Sequence, residues 1–197
     1  MNERESRSAE IRRMMRSKPL RIAAMEGRVK WASRLLNEIK PKGKVTGVEV
    51  GLWKADFAQL MLNANERLYW IGVDPYFEYG RKKRKQPVWD GIFWRVMKKM
   101  EPFGKRFKMV RKPSSEGVKS ITRKVDFMFI DGNHDLDVVY NDLLLYEPRV
   151  KKGGIMAGHD YSHRVGKAVD EYVEEFGREM LVDTSFDPCG VFWWRVM

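Results

Sequence analysis

From residue 44 onward the chain alternates short β-rich runs with helical stretches, and few folds other than a row of parallel βαβ units accept that alternation. The β-rich runs are 44–50, 68–73, 106–110, 125–130 and 154–158. Two more, 179–183 and 191–196, flank a Pro188-Cys189-Gly190 turn that favours a hairpin. Helical segments lie between them: one with Phe57, Leu60 and Met61 on its apolar stripe, one with Ile92, Phe93, Val96, Met97 and Met100, a short one over 116–121, and longer ones over 138–146 and 166–176. Ahead of the first run, Ile22, Met25, Val29, Trp31, Ala32, Leu35, Leu36 and Ile39 recur at near-helical spacing until Pro41 and Gly43 end the helix. The expected fold is therefore α/β, a three-layer sandwich around a mostly parallel seven-stranded sheet with a C-terminal antiparallel hairpin. Residues 1–18 read as a flexible basic tail and 19–197 as a single domain, which is all that 197 residues accommodate.

Apolar residues at 43% and charged residues at 33% suit a globular protein, and the longest apolar runs are strand-sized, so no membrane partner is expected. The first sixteen residues are charged almost throughout and lack the apolar stretch of a secretory leader. One cysteine and three histidines provide neither a disulfide nor a zinc framework, which points to the cytoplasm. The net charge of +11 is polarised: 13 Lys/Arg against 5 Asp/Glu over 1–45 and 16 against 3 over 81–124, with acidic remainders. Two such segments are either solvated faces or a surface for a polyanion, so nucleic acid stays open as a partner.

In an open α/β sheet, ligands bind outside the carboxyl ends of the strands. There the sequence places Val48-Glu49-Val50-Gly51, Gly72-Val73-Asp74, Pro113-Ser114-Ser115, Ile130-Asp131-Gly132-Asn133-His134 and Gly158-His159-Asp160-Tyr161. Ser114, Ser115 or Asp131 alone reads equally well as a helix cap, and Gly51 as a turn glycine. Capping does not call for carboxylates ending three strands with histidines beside two of them. Asp74, about twenty residues past the glycine turn, is placed to accept hydrogen bonds from a ribose diol. The turn itself, Gly51-Leu52-Trp53-Lys54-Ala55, lacks the repeated glycines that a pyrophosphate requires, so an adenosine ligand without a diphosphate is expected.

On these residues, and on Lys152-Gly153-Gly154-Ile155-Met156-Ala157-Gly158-His159-Asp160-Tyr161 above all, the stretch 47–161 resembles the class I S-adenosylmethionine-dependent methyltransferases, in particular the small-molecule O-methyltransferase group that includes macrocin O-methyltransferase. The resemblance implies a Rossmann-like fold and S-adenosyl-L-methionine as cofactor, with Glu49, Val50, Gly51, Trp53, Asp74, Pro75, Ser114 and Asp131 lining its site. It implies His134 and Asp131 as catalytic residues and a divalent cation, Mg²⁺, at Asp131, Asp160 and His159. Metal-using members end the fifth strand with two acids, where this chain has His159 before Asp160, and Ala55 stands where a glycine is usual. The expected acceptor is a small hydroxylated, sugar-like molecule, deprotonated by a histidine or a cation. Nucleic acid or protein acceptors, or a non-catalytic cofactor-binding module, are the alternatives. The chain is expected to be a monomer or homodimer.

Overall fold

The computed structural model describes residues 3–77 and 85–197. Five parallel strands, β1 (Val45–Val50), β2 (Leu68–Val73), β3 (Phe107–Val110), β4 (Val125–Ile130) and β5 (Val150–His159), are joined at one edge by the antiparallel pair β6 (Leu181–Asp183) and β7 (Val191–Arg195). The order across the sheet is β3-β2-β1-β4-β5-β7-β6. The chain winds outward from β1 to β3 and returns to lay β4 on the other side of β1, so the reversal falls between β1 and β4. That reversal opens a crevice at the carboxyl ends of the two strands. This is the expected fold, Rossmann-like and mixed only at the hairpin.

β4 has every residue buried because it is central and covered on both faces. Phe127 and Phe129 point into a core shared with α2 (Lys18–Ile39), α3 (Asp56–Ala64) and α4 (Gln86–Met100). Met128 and Ile130 point into the opposite core, shared with α6 (Leu136–Tyr146) and α7 (His163–Phe176). A four-residue helix, α5 (Ser114–Gly117), follows β3, and α1 (Glu3–Met14) shows that most of the basic tail is helical here.

Helix faces turn slightly from the sequence expectation. In α3 the buried positions are Phe57, Ala58, Met61 and Leu62, while Leu60 is exposed. In α2 they are Ala24, Arg28, Trp31, Ala32, Leu35 and Leu36, with Ile22 exposed. The repeat of 3.6 residues runs through Arg28, so a charged side chain enters the buried face. β5 starts at Val150 rather than 154, because Val150 already pairs with Val125 of β4, and Gly153 N–H donates to Val196 O while Val196 N–H donates to Gly154 O. Between β2 and α4, where the sequence reads as a long insert over 75–87, residues 78–84 lie outside the described residues. Among the described residues no helix is long and apolar enough to cross a membrane.

Candidate active site

The strand tips are held level by hydrogen bonds that continue beyond the strands. Gly51 N–H donates to Val73 O (2.8 Å), Asp74 N–H to Val110 O (3.2 Å) and Asp131 N–H to Val50 O (2.8 Å). Gly51, Asp74, Asp131 and His159 thus stand in one row along the crevice. Gly51 is required there: its φ is +92°, and a Cβ would run into the Asp131 carbonyl oxygen and Gly132 Cα. The described non-glycine residues with left-handed backbone, Trp53, Ala55, Tyr76 and Asp160, all follow strand ends on this rim. Strain gathered at one edge in this way is typical of functional sites.

Two adjoining cavities occupy the crevice, about 680 and 320 Å³, and both fall in the range of ligand pockets. Side-chain alternation in β1 assigns neighbours to different cavities: Glu49 enters the larger one and Val50 the smaller. Trp53, Asp131, His134, His159 and Asp160 also line the larger, and Pro75 and Ser114 the smaller. Gly51 and Asp74 border both. All the residues singled out in the sequence therefore meet at one crevice.

Asp74 is 4% exposed, accepting from the backbone N–H of Trp53 at Oδ2 (2.9 Å) and of Tyr76 at Oδ1 (3.0 Å). Burial raises its carboxyl above the ordinary range, with those backbone donors pulling the other way. A carboxylate can accept about four hydrogen bonds, so Asp74 retains acceptor capacity beyond its backbone donors Trp53, Tyr76 and Leu52. Glu49 accepts from Trp70 Nε1 (3.0 Å); burial first, and the charge of Asp131 next, raise its carboxyl well above the usual value. In the smaller cavity Asp142, 3% exposed, is raised to about 6, mainly by burial, with the Ser114 hydroxyl opposing. Ser114 is not the cap of α5: that position falls on Pro113, which makes no side-chain cap bond, and the Ser114 hydroxyl instead bonds the Asp142 carboxylate.

At the other end of the larger cavity, His134 Nε2 lies 3.1 Å from Asp160 Oδ2, with the imidazole half exposed. His159 is buried and faces carboxylates on both ring nitrogens. Nδ1 is 3.4 Å from Asp131 Oδ1 and from Asp160 Oδ2, and Nε2 is 3.1 Å from Asp187 Oδ2. Burial lowers its pKa, but the carboxylates of Asp131 and Asp160 outweigh that and hold it well above the ordinary value. For Asp160, burial works upward while His159 and then His134 win and draw it down. Arg28 reaches in from α2, Nη1 3.4 Å from Asp131 Oδ2 and Nε 2.9 Å from Asp187 Oδ2. The latter is an ion pair whose angle falls short of a hydrogen bond. Neither Arg28 nor Asp187 stood out in the sequence. A charge at the 24–28–31–32–35 stripe was the available signal for Arg28; Asp187, just before the Pro188-Cys189-Gly190 turn, carried none.

The two cavities suit an adenosyl ligand: carboxylates at Asp74 and Asp142, a glycine at the closest backbone approach, and apolar walls from Val50, Val73 and Leu145. A hard divalent cation fits less well. Oxygen and nitrogen atoms of Asp131, His134 and Asp160 do lie within 4.8 Å of one another. The same Asp131 and Asp160 carboxylates, however, are already faced by the His159 ring, and Asp131 by Arg28 as well. Two carboxylates are enough donors for Mg²⁺, which keeps several waters, so it is the Arg28 guanidinium beside Asp131 that disfavours a cation here.

The family described as methyltransferase domain matches residues 45–161, more than half of the chain. An uncharacterized protein of Acanthamoeba polyphaga mimivirus is 25% identical over 163 residues, 77% of this chain and 69% of the relative. Among solved structures, the O-methyltransferase NovP is similar with a TM-score of 0.61 at 17% identity, covering 86% of this chain and 80% of that one. The N-methyltransferase NodS of Bradyrhizobium japonicum, in complex with S-adenosyl-L-homocysteine, is similar with a TM-score of 0.55 at 10% identity, covering 86% and 85%.

Proposed function

The chain belongs to the methyltransferase-domain family and is an S-adenosylmethionine-dependent methyltransferase, and on that premise we propose that it methylates a hydroxyl oxygen of a small, sugar-like acceptor with His134 as general base. The observation that carries this reading is the His134–Asp160 pair, 3.1 Å apart, at the same cavity that Glu49, Asp74 and Asp131 line.

The cofactor, when bound, supplies a methyl group on a sulfonium, which an oxygen attacks in line. A neutral hydroxyl is a poor nucleophile, so a group on the protein must take its proton. With Nε2 directed at Asp160, His134 would offer Nδ1 to receive that proton. The Asp160 carboxylate then stabilises the imidazolium that forms. Asp74 would hold the ribose hydroxyls, and Ser114, Asp142, Val50 and Pro75, which line the smaller cavity, would hold the adenine. Glu49, Gly51, Trp53 and Asp131, which line the larger cavity, would border the methionine part. Solvent exclusion by these walls strengthens each polar contact.

Calorimetry with S-adenosylhomocysteine, followed by labelled methyl transfer to a panel of hydroxylated glycosides, tests the reading. Binding with transfer that disappears in His134→Ala supports it; a protein that binds no S-adenosylhomocysteine removes it.

A second acceptor class has one observation behind it. Trp94 on α4 is 66% exposed, with Arg95 and Lys98 exposed on the same helix, a surface suited to stacking bases and tracking phosphates. Retention on a polyanion that falls steeply with salt favours nucleic acid, and no retention at low salt eliminates it.

A further inference from the structure

Tyr76 is 0% exposed and lines neither cavity, yet each of its polar atoms is bonded to a part of the rim. Its N–H donates to Asp74 Oδ1 (3.0 Å) and its hydroxyl donates to the Trp53 carbonyl oxygen (3.1 Å), while Trp53 N–H donates to Asp74 Oδ2 (2.9 Å). Asp74, Trp53 and Tyr76 thereby close a hydrogen-bonded ring behind the crevice. The Tyr76 carbonyl oxygen accepts from Gln86 Nε2 (3.0 Å), at the first residue of α4, and from Arg111 Nη2 (3.2 Å), just after β3. Arg111 is itself held, with its guanidinium over the Phe93 ring at 4.4 Å and paired with Asp90, which also accepts from Gln86 (3.0 Å). Trp53 and Tyr76 both have left-handed backbone, with φ of 51° and 47°. A side chain disfavours that region, so neither peptide keeps its shape unless the surroundings impose it.

We propose that Tyr76 is a positioning residue for the cofactor: its hydroxyl holds the Trp53 peptide, and through it the plane in which Asp74 presents its oxygens to the ribose. The inference rests on the reading of Asp74 as the ribose carboxylate. A carboxylate that must meet two hydroxyls binds best when its plane is set before the ligand arrives, because no rotation then has to be frozen on binding. Here one backbone donor on each oxygen sets that plane. The donor on Oδ1 is the N–H of Tyr76 itself, in a peptide segment whose carbonyl is clamped by Gln86 and Arg111. The donor on Oδ2 is the N–H of Trp53, whose carbonyl the Tyr76 hydroxyl holds. Tyr76 therefore secures both donors, and being fully buried outside the cavities it does so without touching the ligand. A packing role would need only the ring, which meets Phe93 edge-on with centroids 5.6 Å apart. The positioning role needs the hydroxyl, and the two are separable in Tyr76→Phe.

A double-mutant cycle tests this, with S-adenosylhomocysteine as the probe and calorimetry as the measurement, on variants whose folding is verified by circular dichroism. Tyr76→Phe is expected to bind about tenfold more weakly than wild type, the size of one neutral hydrogen bond. In an Asp74→Ala background the same change is expected to alter affinity by less than about twofold, because the group that Tyr76 positions is gone. A folded Tyr76→Phe that binds within about twofold of wild type overturns the proposal, and so does an equal loss in both backgrounds, which is the mark of a generally loosened rim. If Tyr76→Phe does not fold, Arg111→Met decides by the same cycle, since Arg111 is exposed and reaches the site through the Tyr76 carbonyl. It is expected to weaken binding about fivefold in the wild-type background and by less than about twofold beside Asp74→Ala, with the same two results overturning the proposal. An Asp74→Ala chain that binds as tightly as wild type removes the reading of Asp74 and the proposal with it, whereas an inert Tyr76→Phe beside a weakened Asp74→Ala removes the proposal alone.

Discussion

The backbone N–H of Trp53 donates to Asp74 Oδ2 at 2.9 Å, so the turn after β1 is fastened to the carboxylate that ends β2. One side chain therefore shapes the turn and faces the cofactor cavity. Asp74→Ala is expected to weaken S-adenosylhomocysteine binding about 100-fold, from loss of charge-assisted hydrogen bonds of about 1.5–3 kcal/mol together with a loosened turn. Calorimetry checks it, and unchanged affinity would withdraw Asp74 from the cofactor site.

Asp142 links the smaller cavity to pH. Its carboxyl stands at 3.8 ordinarily and at about 6 in the fold, raised by burial against the opposing Ser114 hydroxyl. Between those values the folded state holds a proton that the unfolded state has released, so stability falls as pH rises through this window and is lowest above it. The loss is about 2–3 kcal/mol. Asp142→Asn should therefore raise the melting temperature at pH 8 and leave it nearly unchanged below pH 4, a difference that paired thermal melts read directly.

His134 and Asp160 are assigned to proton removal, not to holding the cofactor. His134→Ala is expected to lower kcat by about 10²–10⁴-fold while S-adenosylhomocysteine affinity stays within about threefold of wild type. Steady-state kinetics beside calorimetry tests the split. A parallel collapse of cofactor binding would mean that the imidazole supports the pocket instead.

Gly51 and Gly43 both have positive φ, +92° and +78°, but only the first is hemmed in, by the Asp131 and Gly132 backbone. Alanine at 43 meets open space and should cost about 1 kcal/mol from backbone strain alone. Alanine at 51 adds a collision with backbone that cannot swing aside, so it should cost about 3 kcal/mol or more and displace the tip of β4. Denaturant unfolding of the two variants measures the difference; equal costs would mean that the strand tips are not in close contact.

Much of the architecture was legible because its determinants are local. Runs of β-branched and aromatic residues at 68–73 and 125–130 match β2 and β4 residue for residue, and polar residues at each run's carboxyl end marked the rim where they are found. The antiparallel hairpin followed from its turn. What local pattern could not show is which partner a side chain meets across distance. Arg28 reads as an interruption of an apolar stripe until α2 is docked, when it lies against Asp131 and Asp187. Leu60 reads as core until the docking angle of α3 leaves it exposed.

The order of residues alone determined the alternation of strands and helices, the mostly parallel sheet with its C-terminal hairpin and the set of groups at the carboxyl ends of its strands, since each depends on periodicity and on backbone preferences a few residues long. Only the tertiary structure decided that His159 faces three carboxylates at once and that Asp142 is buried. Those states are set by charges and dielectric boundaries brought together from residues 28 to 187, and no local pattern encodes a field that distant elements create.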